Sequence, residues 1–221
     1  MLYLAAMSDD PELPPQPSPP REPIFNPAAF EAVPVLLLVA LMVGVQAWMS
    51  SRSIYVQNEL YRDYAFFSVR LWEGRDLTAL ATHAFLHGGW PHLAMNMIAL
   101  FALGTFCWKR MGSANFFGFF VITAAAGAIT FALIRPSETG PLVGASGAIF
   151  GLLAAFKYIQ FAMIAERGVD VRRDAILFLA QVTVINFVLG LATGGMMAWE
   201  AHFGGLAIGW FITPYMMKKS P

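Results

Sequence analysis

The stretch MGSANFFGFFVITAAAGAITFALI, residues 111–134, decides the fold class of this chain. It contains 24 residues and no Asp, Glu, Lys or Arg. A helix needs about 20 predominantly apolar residues to cross the hydrocarbon core of a bilayer, because each residue advances it by about 1.5 Å. The stretch therefore predicts a membrane-spanning helix rather than an element of a water-soluble domain.

The same pattern recurs on both sides of this stretch. Windows without charged residues run over 32–51, 77–108, 111–134, 139–156, 175–199 and 201–217. The second window is too long for one straight helix, and its first half contains the loop-forming residues Gly88, Gly89 and Pro91. We therefore predict an all-α membrane protein, a six-helix bundle over 33–217, with spans at about 33–50, 91–108, 113–134, 145–165, 175–194 and 200–217.

Whole-chain composition leads to the same class. Hydrophobic residues make up 57% of the chain and charged residues 13%, against about 45–50% and 25% in soluble domains. A soluble fold of 221 residues cannot bury so much apolar surface. The net charge of zero gives a nucleic-acid partner no electrostatic support. The single cysteine, Cys107, excludes an internal disulfide and a cysteine-based metal cage, and we expect neither a metal nor another cofactor.

Three segments lie outside the predicted spans. Residues 1–32 include seven prolines between Asp10 and Pro23, a composition typical of a disordered tail. The connection over about 50–80 is rich in Tyr and Trp, which favour the lipid headgroup region. Residues 218–221 form a short tail after the last span.

The distribution of Lys and Arg predicts the orientation. With the N-terminus inside, inner segments hold nine of these residues and outer segments five, out of 14 in the chain. Because inner loops carry the excess of positive charge, both termini are expected on the cytoplasmic side. We expect a multi-pass protein of the bacterial inner (plasma) membrane.

Polar residues inside the spans are the candidate functional residues, because such groups are costly in a membrane. With the N-terminus inside, the second, fourth and sixth helices all begin on the outer side. Their first turns contain His92 with Asn96, Ser146, and His202, respectively. A serine and a histidine at one depth can act as nucleophile and general base. A lone serine or asparagine more often packs helices together, so the hypothesis depends on the whole set.

Glycines at four-residue spacing indicate close helix packing. They are Gly147 and Gly151 on the fourth helix, and Gly205 and Gly209 on the sixth, and we assign Gly144 to the same packing surface. Such contacts would bring Ser146 and His202 together. Gly204 lies about 100° round the helix from Gly205 and is expected to tolerate alanine better.

Three segments together resemble one known family. GASGAIFG (144–151) resembles the active-site serine motif of rhomboid intramembrane serine proteases, and AHFGG (201–205), with Gly209 beyond it, resembles their catalytic histidine helix. HGGWPHLAMN (87–96) is similar to their His-xxx-Asn segment. The order of these motifs and the six-helix frame match over about 33–217.

The resemblance implies an activity and a role for each site residue. It implies an endopeptidase that cleaves transmembrane protein substrates in or near the bilayer through an acyl-enzyme. Ser146 would be the nucleophile and His202 the base, without the acid of the usual triad. His92, Asn96 and the Ser146 backbone N–H would stabilise the oxyanion.

Other functions are compatible with part of this pattern. A non-proteolytic rhomboid-like chaperone or client-binding protein would keep the helices but would not need the Ser146–His202 pair. A small transporter would favour internal repeats and broken or charged helices at mid-membrane, which the sequence does not display. A soluble-type serine hydrolase is disfavoured because its nucleophile elbow needs glycine where Ala148 stands.

Overall fold

The computed structural model describes residues 32–194 and 197–218. The predicted N-terminal tail, apart from Ala32, and residues 219–221 of the C-terminal tail lie outside the described residues. The described part forms nine α-helices: α1 (Val33–Ser50), α2 (Ile54–Tyr64), α3 (Ser68–Trp72), α4 (Ala79–Thr82), α5 (Trp90–Met111), α6 (Ser113–Ile134), α7 (Ser146–Ala165), α8 (Arg172–Ala192) and α9 (Trp199–Met216). A 3₁₀ turn, His83–Phe85, lies between α4 and α5.

Five of the described helices are long and apolar enough to cross a membrane, namely α1, α5, α6, α7 and α8. The chain is therefore an all-α, multi-pass membrane protein. The helix α9 has 18 residues but is not among these five, and it contains Glu200, His202 and Pro214. Its place in the bundle accounts for this composition, since α9 faces protein on two sides.

The helix α9 packs between α7 and α6, and small residues let the backbones approach. A side chain added at Gly205 would overlap with the carbonyl group of Gly147 on α7. One turn further on, a Cβ at Gly209 would lie 2.6 Å from the Cα of Gly151. The two pairs form the four-residue ladder expected from the spacing of these glycines.

Gly204 is also closely packed, which its place on the helix relative to Gly205 does not predict. A Cβ at Gly204 would overlap with the side chain of Thr130 and would lie 2.9 Å from the carbonyl oxygen of Ala126, both on α6. The helix α6 reaches α9 a second time at Gly127, where a Cβ would lie 2.7 Å from the carbonyl oxygen of Ala201. Both faces of α9 are therefore closely packed, so Gly204 and Gly205 are each constrained by a different neighbour.

The apolar core lies between α1, α5, α6 and α7. Its largest fully buried side chains include Phe116, Phe119 and Phe120 of α6. The small Gly104 of α5 lets Val35 of α1 approach, since a Cβ there would lie 3.2 Å from the Val35 Cγ1 atom. This core fixes α5 and α7 side by side, and it therefore fixes the start of both helices.

The helix α8 lies at the edge of the bundle. Only 17% of its apolar window is buried. Its buried residues are Phe178, Val182 and Asn186, which follow one another at intervals of four. This spacing forms a single stripe along one face of the helix. The rest of α8 presents large aliphatic side chains to the surroundings of the bundle.

The two ends of the bundle differ in character. At one end, the Lys218 N–H donates to the carbonyl oxygen of Arg110 over 2.8 Å, and Asn115 Nδ2 donates to that of Met216 over 2.9 Å. The basic residues Lys109 and Arg110 stand at this end of α5. At the other end, where α5, α7 and α9 begin, the short helices of the 50–80 connection are attached, since the Tyr61 hydroxyl donates to the carbonyl oxygen of His87 over 2.7 Å.

Candidate active site

Ser146 is the first residue of α7, and the loop before it turns sharply. Gly144 has φ +116°, a conformation that residues with a side chain rarely adopt. Its N–H donates to the carbonyl oxygen of His83 over 2.9 Å, which anchors the loop. The first N–H groups of a helix have no acceptor within that helix. Ser146 therefore stands where backbone donors point out of α7.

The structure brings Ser146 and His202 within hydrogen-bonding distance. The Oγ atom of Ser146 lies 2.8 Å from Nε2 of His202. The two residues stand in the first turns of α7 and α9, directly above the Gly147–Gly205 contact. Ser146 is half-buried and His202 is buried. This geometry is that of a hydroxyl whose proton an adjacent imidazole can accept.

Asn186, which the sequence analysis does not single out, contacts the other ring nitrogen of His202. Its Oδ1 atom lies 2.7 Å from His202 Nδ1, and its Nδ2 donates to the Val182 carbonyl oxygen over 2.8 Å. Asn186 is only 5% exposed. A sequence signal was present, because Asn186 is a strongly polar residue inside a span, in a four-residue series with Phe178 and Val182.

Phe150 is a second residue that the sequence analysis leaves out. Its ring is stacked on the imidazole of His202. Phe150 follows Ser146 by four residues on α7, and residues at that spacing share a helix face. The same spacing could have identified it as a neighbour of any residue paired with Ser146.

His92 and Asn96 lie on the adjacent start of α5. A Cβ at Gly144 would be 2.7 Å from His92 Cε1, so the missing side chain of Gly144 leaves space for this ring. Gly144 is therefore not one of the helix-packing glycines to which the sequence analysis assigned it, because it precedes α7 and faces a side chain. Asn96 is buried, and its Nδ2 donates to the His92 carbonyl oxygen over 2.9 Å. This bond uses one of its two amide hydrogens.

Two further histidines stand behind this group, in the segment before α5. The ring of His87 lies 5.3 Å from that of His92, centroid to centroid. His83 Nδ1 lies 2.8 Å from the carbonyl oxygen of Ala79. Burial lowers the pKa of both His83 and His87 to about 4, because it disfavours the charged imidazolium. Both rings are therefore neutral at pH 7.

An ion pair lies two residues before His202. The carboxylate of Glu200, which is 1% exposed, pairs with the guanidinium of Arg135 just after α6. Arg135 is about one third exposed and also contacts Glu138. The pair connects the start of α9 to the end of α6 and keeps the buried carboxylate neutralised.

A cavity of about 590 Å³ opens between α8 and the start of α9. Its lining includes Asn186, Phe187, Trp199, Phe203 and Arg135. Within 32–194 and 197–218, His, Cys, Asp and Glu form no group of three that could hold a metal ion. The arrangement as a whole places a serine hydroxyl, an imidazole and nearby hydrogen-bond donors beside a mostly apolar cleft.

Comparison with known proteins defines the class. The Rhomboid domain model matches residues 74–219, which is well over half of the chain. The chain therefore belongs to the rhomboid family. The match contains Ser146, His202, His92, Asn96 and Asn186, that is, the whole of the site described above.

Individual relatives include proteins from yeast and bacteria. The chain is 35% identical over 147 residues to the mitochondrial Rhomboid protein 1 of Saccharomyces cerevisiae, covering 62% of this chain and 42% of that protein. It is 33% identical over 132 residues to Rhomboid protease GluP of Bacillus subtilis, covering 60% and 24% respectively. It is 26% identical over 160 residues to Rhomboid protease GlpG of Photorhabdus laumondii, covering 71% and 55%. The chain thus spans less than two thirds of each of these relatives.

Proposed function

We propose that this protein is an intramembrane serine endopeptidase that cleaves transmembrane protein substrates. The observation that carries the proposal is the 2.8 Å distance between Ser146 Oγ and His202 Nε2 at the start of α7 and α9. Membership of the rhomboid family and similarity to relatives named as proteases support it. The sixth predicted span, α9, is the helix that carries His202, so the proposal includes six spans.

The proposed reaction divides peptide hydrolysis into two steps. Ser146 Oγ attacks the scissile carbonyl carbon while His202 Nε2 accepts the hydroxyl proton. The imidazolium then gives this proton to the leaving amine as the C–N bond breaks, which leaves an acyl-enzyme. Water attacks the ester in the second step, again with His202 as base, and releases the carboxylic acid and the free Ser146 hydroxyl.

The negative charge that develops on the carbonyl oxygen needs donors. The Ser146 N–H belongs to the first turn of α7, where the helix dipole adds a modest positive potential. The free amide hydrogen of Asn96 and the ring of His92 lie on the neighbouring α5. We assign these three groups to the oxyanion site. Donors that are already in place need no reorganisation when the charge appears.

The proposed topology places this site near the outer face. The basic end of the bundle, with Lys109 and Arg110, would face the cytoplasm together with both termini. The starts of α5, α7 and α9 would then face outward, where water can enter. The bacterial inner membrane remains our proposed location, although relatives include a mitochondrial protein.

We expect the substrate to be a transmembrane segment that unwinds easily. A helix hides each carbonyl group in its own hydrogen bonds, so the scissile bond must leave the helical conformation. Segments with small or helix-breaking residues meet this requirement at the lowest cost. The cleft between α8 and α9 lies beside Asn186, which contacts His202.

The test is proteolysis by the purified protein. The full chain is incubated in detergent and in liposomes with a panel of single-span proteins, and its serine is probed with a fluorophosphonate. We expect cleavage within the transmembrane segment and labelling of Ser146, with both absent in Ser146→Ala. Binding of substrates without cleavage or labelling would contradict the proposal and would favour a non-proteolytic, client-binding member of the family.

A further inference from the structure

Asn186 contacts His202 on the side of the ring opposite Ser146. The Oδ1 atom of Asn186 lies 2.7 Å from His202 Nδ1, and Ser146 Oγ lies 2.8 Å from Nε2. We propose that Asn186 is a positioning residue that fixes the tautomer and orientation of His202. The effect of Asn186 on catalysis rests on the proposed function, whereas its effect on the tautomer of His202 is independent of that function.

The direction of each hydrogen bond follows from the Val182 carbonyl group. A carbonyl oxygen only accepts, so the Asn186 atom 2.8 Å from it must be the Nδ2 donor. The opposite atom, Oδ1, then faces His202 and likewise only accepts. His202 Nδ1 must therefore carry a proton. In a neutral imidazole this leaves Nε2 unprotonated, which is the form that can accept the Ser146 proton.

The Asn186 amide fixes the tautomer of His202 without placing a charge in the buried site. Asn186 and His202 are each 5% exposed, and a carboxylate inside a membrane helix is costly. The acid of the soluble serine-protease triad holds its histidine in the correct tautomer. Here a neutral oxygen at the same ring nitrogen would hold the tautomer at a lower desolvation cost.

The alternative is that Asn186 only attaches α8 to the bundle, since asparagines often connect membrane helices. The two roles predict different results. A purely structural role predicts that loss of the amide lowers stability and leaves the turnover of the folded protein unchanged. A positioning role predicts a change in the tautomer of His202 and in kcat.

The tautomer is measured directly on the full chain in micelles. The protein is labelled with ¹⁵N-histidine, and His202 is assigned among the four histidines by comparison with His202→Asn. We expect the His202 proton on Nδ1 in the wild type and a substantial Nε2–H population in Asn186→Leu. A wild-type His202 protonated on Nε2 would overturn the proposal, even where the leucine variant fails to fold.

Kinetics test the consequence. Partners that orient a metal-bound histidine through its second ring nitrogen change activity by about 10–100-fold, and we expect a decrease of similar size in kcat of Asn186→Leu, with KM changed less than about threefold. Asn115→Leu is the matched control, because Asn115 donates from α6 to the Met216 carbonyl oxygen far from the site. We expect that variant to lose stability but to keep kcat.

The outcomes separate the two proposals. Wild-type kcat in folded Asn186→Leu, with Ser146→Ala inactive, would overturn the positioning role and leave the protease proposal intact. Absence of cleavage and labelling in the wild type would overturn the protease proposal. The ¹⁵N measurement would still decide the tautomer in that case.

Discussion

The rings of Phe150 and His202 lie 4.2 Å apart, centroid to centroid, with an angle of 9° between their planes. The stack restricts rotation of the imidazole about its bond to Cβ, while the hydrogen bonds at its two nitrogens act within the ring plane. Phe150 and Ser146 stand on the same helix, so α7 supplies both the face contact and the hydroxyl partner of His202.

Removal of this stack is expected to lower turnover moderately. Aromatic pairs contribute about 0.5–1.5 kcal/mol beyond area burial, which corresponds to roughly 2–13-fold in kcat if the whole effect is lost from the productive orientation. We expect such a decrease in Phe150→Ala and recovery in Phe150→Tyr. Phe106→Ala, which removes an aromatic contact with Phe156 elsewhere in the bundle, is the control. An equal loss of kcat in the control would argue against a local effect.

The oxyanion assignment predicts a loss of kcat without a matching loss of stability. Asn96→Ala and His92→Ala should each lower turnover by about 10–1,000-fold, a range that allows for partial replacement of a lost donor by water. His92→Gln keeps a donor and should be less affected than His92→Ala. Initial rates on one cleaved substrate give the comparison. Full activity in both alanine variants would leave the Ser146 N–H as the remaining donor.

The adjacent glycines Gly204 and Gly205 of α9 should both be sensitive to substitution, because each contacts a different neighbouring helix. Gly205→Ala places a methyl group against the backbone of Gly147, and Gly205→Leu should be both unstable and inactive because α7 and α9 separate. Gly204→Ala meets Thr130 and Ala126 on α6 instead, so we expect lower thermal stability with better retained activity. Gly118→Ala is the control, since a Cβ there meets no atom within 4 Å. Wild-type activity in Gly205→Leu would contradict the close-packing argument.

The Arg135–Glu200 pair predicts an asymmetric response to mutation. Arg135→Ala leaves the buried Glu200 carboxylate without its partner, which should cost at least about 1–3 kcal/mol of unfolding free energy. The double variant Arg135→Met/Glu200→Leu removes both charges and should be more stable than Arg135→Ala alone. Melting temperatures in one detergent measure the difference. Arg62→Ala breaks the exposed contact with Glu59 and should change little.

The buried histidines before α5 predict a loss of stability in acid. The pKa of His83 and His87 is about 4 in the folded protein, against about 6.5 in an unfolded chain. Between these values the unfolded state binds more protons, so stability falls as pH decreases from about 6.5 to about 4. Each histidine contributes a slope of at most about 1.4 kcal/mol per pH unit.

This pH dependence is measured as melting temperature between pH 7.5 and pH 4. His87→Phe keeps a ring of similar shape without a titratable nitrogen, and its curve should be flatter than that of the wild type. An unchanged slope in this variant would remove His87 from the acid response.

Charge-free windows predicted the long helices well, because the cost of burying charge in a bilayer dominates other local preferences. The predicted count of six spans is not confirmed, because only five of the described helices are apolar enough to cross a membrane. The helix α9 contacts protein on two faces, so lipid does not require it to be uniformly apolar, and Glu200 and His202 lower its hydropathy. Hydropathy therefore predicts membrane spans least well for a helix such as α9, which packs between α6 and α7.

The alternating direction of successive spans was enough to predict that Ser146 and His202 lie at the same end of the bundle. This alternation did not identify Asn186, because only residues at helix starts were compared. Asn186 lies in the last two turns of α8, a helix that runs in the opposite direction and therefore ends where α7 and α9 begin. The same reasoning missed the contact of Gly204, since only one neighbour of α9 was considered. Gly144 was misassigned because its spacing resembled that of helical glycines, whereas its positive φ places it in a loop.

The peripheral position of α8 has a consequence for how the protein responds to lipid. With 17% of its apolar window buried, this helix leaves most of its apolar surface available to acyl chains. Helices adjust their tilt to match the hydrocarbon thickness, and neighbouring helices resist that adjustment only where they pack. Because α8 carries Asn186, we expect a change in acyl-chain length that tilts this helix to alter the distance between the Asn186 amide and His202.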